Sequence, residues 1–303
     1  MTDSSSGTRI LQFRHRGDLN RFLRSPFGAA LVAAAVIAFA LFLITGYREA
    51  TARPIVRALV IRIPKPVGEQ RAVRLVLFSD LHVHGPDMPP ARVSALVEQI
   101  NALQPDIVVS AGDFMGDTPI GRSYSIDEAI APLAQLRAKY GVFAVLGNHD
   151  YEAGAGTLVA ALKRAHVRVL LNDAAEVGPL AIGGVDGSID VGKAEWKARR
   201  ARTYAALERT PGFRVLIAHR PDEFTFLPAS IGLLLAGHTH CGQIVLPIIG
   251  ALATGTDNGR KYLCGVVHKG SQLMVVTAGL GTSHLPLRIG APPDIWAITI
   301  QPD

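Results

Sequence analysis

Aspartate, histidine and asparagine gather in five short clusters: Asp80-Leu81-His82, Gly112-Asp113, Gly147-Asn148-His149-Asp150, His219, and Gly237-His238-Thr239-His240. Carboxylate, amide and imidazole donors together suit borderline divalent ions such as manganese, zinc or iron(II). Two such ions can clamp an in-line displacement at phosphorus and depress the pKa of water enough to make it a nucleophile. Singly, each cluster says little. Asp-x-His and Gly-Asp are common, a lone histidine such as His219 is more often a satisfied core residue, and Gly-Asn-His-Asp reads equally as a turn. Their weight comes from recurrence, because each cluster closes an apolar run. Buried carboxylates and imidazoles are also costly unless paired or metal-bound.

Those apolar runs are residues 75–78, 107–109, 142–146, 215–218 and 233–236, rich in Val, Ile and Leu and of the length of buried strands. Helical spacing lies between several of them, at Val93, Leu96, Val97, Ile100 and Leu103, and at Ile126, Ile130, Leu133 and Leu136. Strands of an α/β sheet deliver their carboxyl ends to one edge, where ligands bind. In an extended segment Asp80 and His82 point the same way and can share a target, as can the two histidines around Thr239. Gly112, Gly147 and Gly237 are expected to let the backbone turn sharply after each strand. Residues 274–300 look strand-rich, and the chain contains no internal repeat.

Ahead of this pattern the composition changes. Residues 1–25 form a basic tail with Arg9, Arg14, Arg16, Arg21 and Arg24, and residues 26–47 carry no charge. As an α-helix that stretch would rise about 33 Å, close to the thickness of a bilayer core. A cleaved signal peptide is the alternative, since Ala50-Thr51-Ala52 resembles a cleavage site. The apolar stretch, however, exceeds the roughly 7–15 residues of a signal core. Residues 48–72, with Pro54, Pro64 and Pro66, read as a linker holding a short strand at 59–63, which leaves 73–303 as the main domain. Residues 1–65 hold ten Lys/Arg against three Asp/Glu, and the remainder 21 against 22. The positive charge thus sits beside the apolar stretch, where it suits anionic lipid head groups, and not on the folded part, where a nucleic-acid enzyme would need it. Cys241 and Cys264 are too few for a disulfide framework.

The five clusters, in this order, resemble the signature of the calcineurin-like metallophosphoesterases, and the resemblance covers roughly residues 73–300. It implies an α/β fold, a four-layer α-β-β-α sandwich, here preceded by a transmembrane helix. It also implies two divalent ions. Asp80, His82 and His240 would hold the first, Asp113 would bridge, and Asn148, His219 and His238 would hold the second. His149 would act as outer-sphere acid, hydrogen-bonded to Asp150, and Asp117 would be a support. The anchor, the stretch His238-Thr239-His240-Cys241-Gly242-Gln243 and the late Gly279-Leu280-Gly281-Thr282-Ser283 resemble a bacterial membrane-anchored branch. Some of its members resemble UDP-2,3-diacylglucosamine pyrophosphatases of lipid A synthesis. Two positions depart from that branch: Cys241 replaces a usual Gly and Arg220 a usual Asn. Cys241 could be a soft ligand, an oxidation-sensitive site or an inert thiol, the last being the expectation.

Arg220 could reach a substrate phosphate or sit in solvent, and His84, two residues past His82, is a candidate substrate contact. His166, His268 and His284 are expected to be surface or packing residues. Residues 193–209 read as a solvated helix pinned by Trp196 and Leu207. The leading expectation is therefore a single-pass protein of a bacterial inner membrane that hydrolyses a lipid-linked phosphodiester or pyrophosphate, with the bilayer as partner and no nucleic acid. A periplasm-facing general phosphodiesterase and a non-catalytic scaffold are the alternatives. A scaffold would be expected to have lost ligands, yet all seven positions are filled. Arginines on both sides of residues 26–47 leave the side of the catalytic domain open.

Overall fold

Short runs of Val, Ile and Leu bury both faces only when other layers cover the sheet on each side. The computed structural model describes residues 23–63, 71–116, 119–187 and 192–303; the basic tail through residue 22, Pro64, Pro66 and Asp117 lie outside the described residues. In chain order the main elements are α1 (Pro26–Ala50), β1 (Ile55–Ile63), β2 (Val73–Phe78), α2 (Pro90–Ala102), β3 (Ile107–Ser110), α3 (Ile126–Ile130) and β4 (Val142–Ala144). There follow α4 (Asn148–Arg164), β5 (Val167–Val169), β6 (Asp173–Val177), β7 (Leu180–Val185), α5 (Lys193–Arg209), β8 (Phe213–Ala218) and β9 (Leu233–Ala236). The last are β10 (Val245–Leu246), β11 (Gly250–Ala251), β12 (Gly265–Lys269), β13 (Gln272–Val276) and β14 (Asp294–Pro302).

The chain divides after Thr45 into an N-terminal unit and a body of Gly46–Asp303. Helix α1 has 25 residues, about 38 Å at the usual rise, and is long and apolar enough to cross a membrane. Phe27, Leu31, Val36, Phe39, Leu41 and Ile44 along it are all exposed. Apolar side chains on every face are what a lipid-facing helix has and an amphipathic surface helix lacks.

In the body, two six-stranded mixed sheets have the orders β1-β14-β2-β3-β4-β5 and β12-β13-β9-β8-β7-β6. Strands β2 to β5 are mutually parallel, as are β7, β8, β9 and β13. Alternation along β2 shows the layering: Leu75 and Leu77 join Val109, Ile217 and Leu235 between the sheets, while Val76 and Phe78 join the helical side with Val93, Ile130 and Leu158. Leu207 of α5 and Phe224 cover the other sheet. Helix α5 lies on β6 and β7 and is anchored by buried Thr203 and Leu207; Trp196 is only half-buried. These layers form the expected α-β-β-α sandwich. The helix expected through Leu136 stops at Ile130 and continues as a 3-10 turn, Ala131–Gln135. Pro132 there has no N–H for an α-helical bond. The strand expected at 59–63 is nine residues long and pairs with β14.

Ile217 is fully buried in the layer between the sheets. Ile217→Ala is expected to cost about 2–5 kcal/mol. A lowered melting temperature of the detergent-solubilised chain checks it, with metal stoichiometry unchanged in the protein that remains folded.

Candidate metal centre

Five strands, β2, β3 and β4 of one sheet and β8 and β9 of the other, run into one polar cluster. Asp80 and His82 follow β2, Asp113 follows β3, Asn148 and His149 open α4 after β4, and His219 and His238 follow β8 and β9. Strands from both sheets contribute, so the site lies at their shared end and not on the edge of a single sheet.

Asp80, His82 and His240 bring one ligand atom each within 4.8 Å of one another, and so do Asp113, His219 and His238. A third group, His82, Asp113 and His149, overlaps both. The Asp113 Oδ2 atom stands 3.1 Å from His219 Nε2 and 3.5 Å from His82 Nε2, which places one carboxylate between the two triads. His82 Nε2 and His240 Nε2 are 3.1 Å apart, as are His238 Nδ1 and His219 Nε2. The histidines flanking Thr239 therefore serve different triads.

The backbone achieves this by left-handed turns and not by extended segments. Asp80, His82, Asp113, His238 and His240 all have positive φ, between 42° and 71°. That conformation is unfavourable for residues with a Cβ and concentrates at functional sites. It replaces the same-side alternation expected for Asp80 and His82. Gly112 does turn, with φ +94°, but Gly147 does not, at φ −98°. At Gly147 the requirement is space, since a Cβ would lie 2.1 Å from Asp113 Oδ1.

Electrostatics suit a cation. His219 is pushed up to about 9: burial opposes its charge, but the Asp113 carboxylate beside it outweighs burial. Asp113 is held below the usual carboxylate range, the imidazoles of His219 and His82 overcoming the cost of burial. Burial, helped by His219, holds His238 down to about 3, and burial with His82 and Arg288 keeps His240 well below its ordinary value. Neutral His238 and His240 and an anionic Asp113 are in the protonation states that metal ligation requires, whereas His219 has to give up its proton to an incoming ion. Asn148 Oδ1 is buried with no hydrogen-bond partner among the described residues, an unsatisfied acceptor that an ion would satisfy. The donor set thus fits two divalent ions, with Asp113 shared.

Three expectations need correction. Asp150 does not orient His149. Its carboxylate, in the first turn of α4, accepts the amide of Gly147 at the helix N-cap and those of Asp113, Phe114 and Met115 in the loop after β3, at 2.8–3.2 Å. His149 Nδ1 instead faces Glu152 at 3.1 Å, one helical turn on. The spacing i, i+3 was visible in the sequence, but only once α4 was known to start there. His84 is buried away from the cleft, with Nδ1 on the Gly85 carbonyl and Nε2 3.2 Å from Ser123 Oγ. Arg220 pairs with Asp222 and lines a separate groove with Trp196 and Phe226.

The cleft over the centre has a volume of about 520 Å³ and is lined by Asn148, His149, Glu152, Gln243 and Ser283 among others. His284, expected to be a surface or packing residue, is exposed and lines it, 6.5 Å from the His149 ring. Arg288 is fully buried and donates to the carbonyls of Ala278, Gly281 and Ala291 at 2.6–2.8 Å. It holds the loop whose Gly281 amide bonds the Asp80 carbonyl. Cys241 is neither ligand nor free thiol: it forms a disulfide with Cys264, their Cα atoms 4.9 Å apart. The Thr239 hydroxyl donates to the Leu263 carbonyl at 2.6 Å and sets the two cysteines side by side.

Residues 73–242 match the family model described as calcineurin-like phosphoesterase, and the chain belongs to that family. An uncharacterized metallophosphoesterase of Bacillus subtilis is 30% identical over 93% of this chain and 96% of its own. One of Aquifex aeolicus is 33% identical over 76% and 85%. A protein of Danio rerio named transmembrane protein with metallophosphoesterase domain is 29% identical over 88% of this chain and 62% of its own. A 5'-nucleotidase precursor structure from Thermus thermophilus aligns over 76% of the chain at 16% identity and a TM-score of 0.44, and the chain spans 55% of it.

Gly147→Ala places its Cβ against the Asp113 carboxylate. It is expected to lower bound metal in the folded, detergent-solubilised protein, measured by elemental analysis, while Gly156→Ala, at a helical position where nothing lies within 4 Å, leaves metal content unchanged.

Proposed function

We propose that this chain is a membrane-anchored, dinuclear metal-dependent phosphoesterase that hydrolyses a phosphodiester or pyrophosphate bond in a lipid-linked substrate. The observation that carries the chemistry is the pair of triads joined by Asp113, in a chain of the calcineurin-like phosphoesterase family. Asp80, His82 and His240 would hold one ion, and Asn148, His219 and His238 the other. Bound there, the ions would supply Lewis acidity and a nucleophile from water. His149, at the cleft wall with Glu152 beside its Nδ1, would give a proton to the leaving oxygen. Its main-chain N–H donates to Asp113 Oδ1 at 3.0 Å, which ties the acid to the bridging carboxylate.

The membrane reading is supported by α1 and by the relative named as a transmembrane protein. For a bacterial source the membrane would be the inner one. UDP-2,3-diacylglucosamine, the substrate suggested by the resemblance of the late motifs, requires a catalytic body in the cytoplasm. The Cys241–Cys264 disulfide favours the opposite side, because disulfides persist in oxidising compartments. A lipid-borne phosphoester reached from the outer side is therefore the preferred substrate class.

Metal-reconstituted full chain is expected to bind two ions per chain and to hydrolyse an aryl phosphodiester. His149→Ala should keep both ions and lower kcat by about 10²–10⁴-fold, most on poor leaving groups. A single bound ion at full activity would overturn the dinuclear reading, and an unchanged kcat on an alkyl phosphodiester the acid role. A reporter fused after Asp303 is expected to be active only outside the cytoplasm; cytoplasmic activity would restore UDP-2,3-diacylglucosamine as the first candidate.

A further inference from the structure

Residues 244–253 read Ile-Val-Leu-Pro-Ile-Ile-Gly-Ala-Leu-Ala, ten in a row without a polar side chain. They lie beyond the part of the chain that matches the family model. Packed inside, such a run would be core, but β10 and β11 make it a two-stranded hairpin of its own, outside both main sheets. Its tip is in water: Ile248 is fully exposed and Ile249 is 59% exposed. Ile248 is also held at φ +69°, a conformation that is a marked outlier for a β-branched residue. An isoleucine presented to solvent in an unfavourable backbone is an outlier of the kind that gathers at functional sites.

The base of the hairpin adjoins the point where the chain enters the body. Arg288 N–H donates to the Gly46 carbonyl at 2.9 Å, Ile289 N–H to the Gln243 carbonyl at 2.9 Å, and Val245 N–H to the Ile289 carbonyl at 2.7 Å. One short segment, 287–289, thus has Gly46 on one side and the start of the hairpin on the other. Residues 46–52 are fixed there by further bonds: the Ala291 amide to Glu49 at 2.9 Å, and Arg92 to the Ala50 carbonyl at 2.8 Å. Beneath the tip, exposed Arg260 donates to the Ile249 carbonyl at 2.6 Å, with exposed Lys261 next to it. Apolar side chains at the tip with cations just behind them match the layering of a bilayer surface that carries anionic head groups. Ile244 and Leu252 of the same hairpin line the cleft over the metal centre.

We propose that this hairpin inserts its tip, Ile248 and Ile249, into the surface of an anionic lipid bilayer, the one that residues 26–45 would cross, and so holds the mouth of the metal cleft against lipid-borne phosphoesters. The proposal rests on the membrane reading above and adds a second, independent membrane contact to it.

The test uses the full chain reconstituted in phosphatidylcholine–phosphatidylglycerol vesicles. Ile249→Trp is expected to add fluorescence, above that of Trp196 and Trp296, that acyl-chain bromolipids quench and aqueous iodide does not. Quenching by iodide alone would overturn the proposal, and so would protection from both quenchers, the result if a second copy of the chain covers the hairpin. The paired variant Ile248→Asp/Ile249→Asp is expected to slow hydrolysis of a bilayer-embedded phosphodiester by about tenfold or more, with a soluble aryl phosphodiester unaffected. An equal loss on both, or on neither, would also count against it. Quenching needs no turnover. An inactive wild-type chain would therefore defeat the phosphoesterase reading while leaving the insertion result to stand or fall separately.

Discussion

The structure depends on one carboxylate held between two groups of imidazoles. Asp113 stands 3.1 Å from His219 and 3.5 Å from His82, in a place where burial makes charge expensive. Much of the surrounding design keeps it there. Gly147 leaves room for its Oδ1 atom, the His149 amide donates to that same atom, and Asp150 holds its backbone N–H. The two sheets converge so that β3 can present Asp113 between ligands that follow β2 on one side and β8 and β9 on the other.

The same arrangement explains the strained backbone. Five ligand residues occupy the left-handed region, because strands that stop abruptly must turn their side chains inward within one or two residues. Such turns persist only when their surroundings fix them. Fully buried Arg288 is one such support, since its guanidinium gathers the carbonyls of the 278–291 loop behind Asp80. The disulfide is another. It closes the chain between Cys241, next to His240, and Cys264, and the segment so closed contains the apolar hairpin. The metal centre, the disulfide and the hairpin therefore form one continuous piece of structure.

The sequence by itself determined the strands, because apolar runs of three to five residues ending in Gly, Asp, Asn or His have few other uses. It determined which ligand types would meet, through the recurrence of the clusters, and it determined α1, through an unbroken apolar stretch. Only the tertiary structure decided how they meet. The two histidines around Thr239 part company because left-handed turns override strand alternation. Asp150 becomes a backbone acceptor and Glu152 the neighbour of His149 because α4 starts at Asn148, a boundary that a polar tetrapeptide does not reveal. His84 turns to the Gly85 carbonyl and Ser123, and Arg220 to Asp222, and neither lines the cleft. Cys241 and Cys264 are separated by 23 positions, and their pairing follows from a loop held by Thr239, a contact that composition and spacing do not encode.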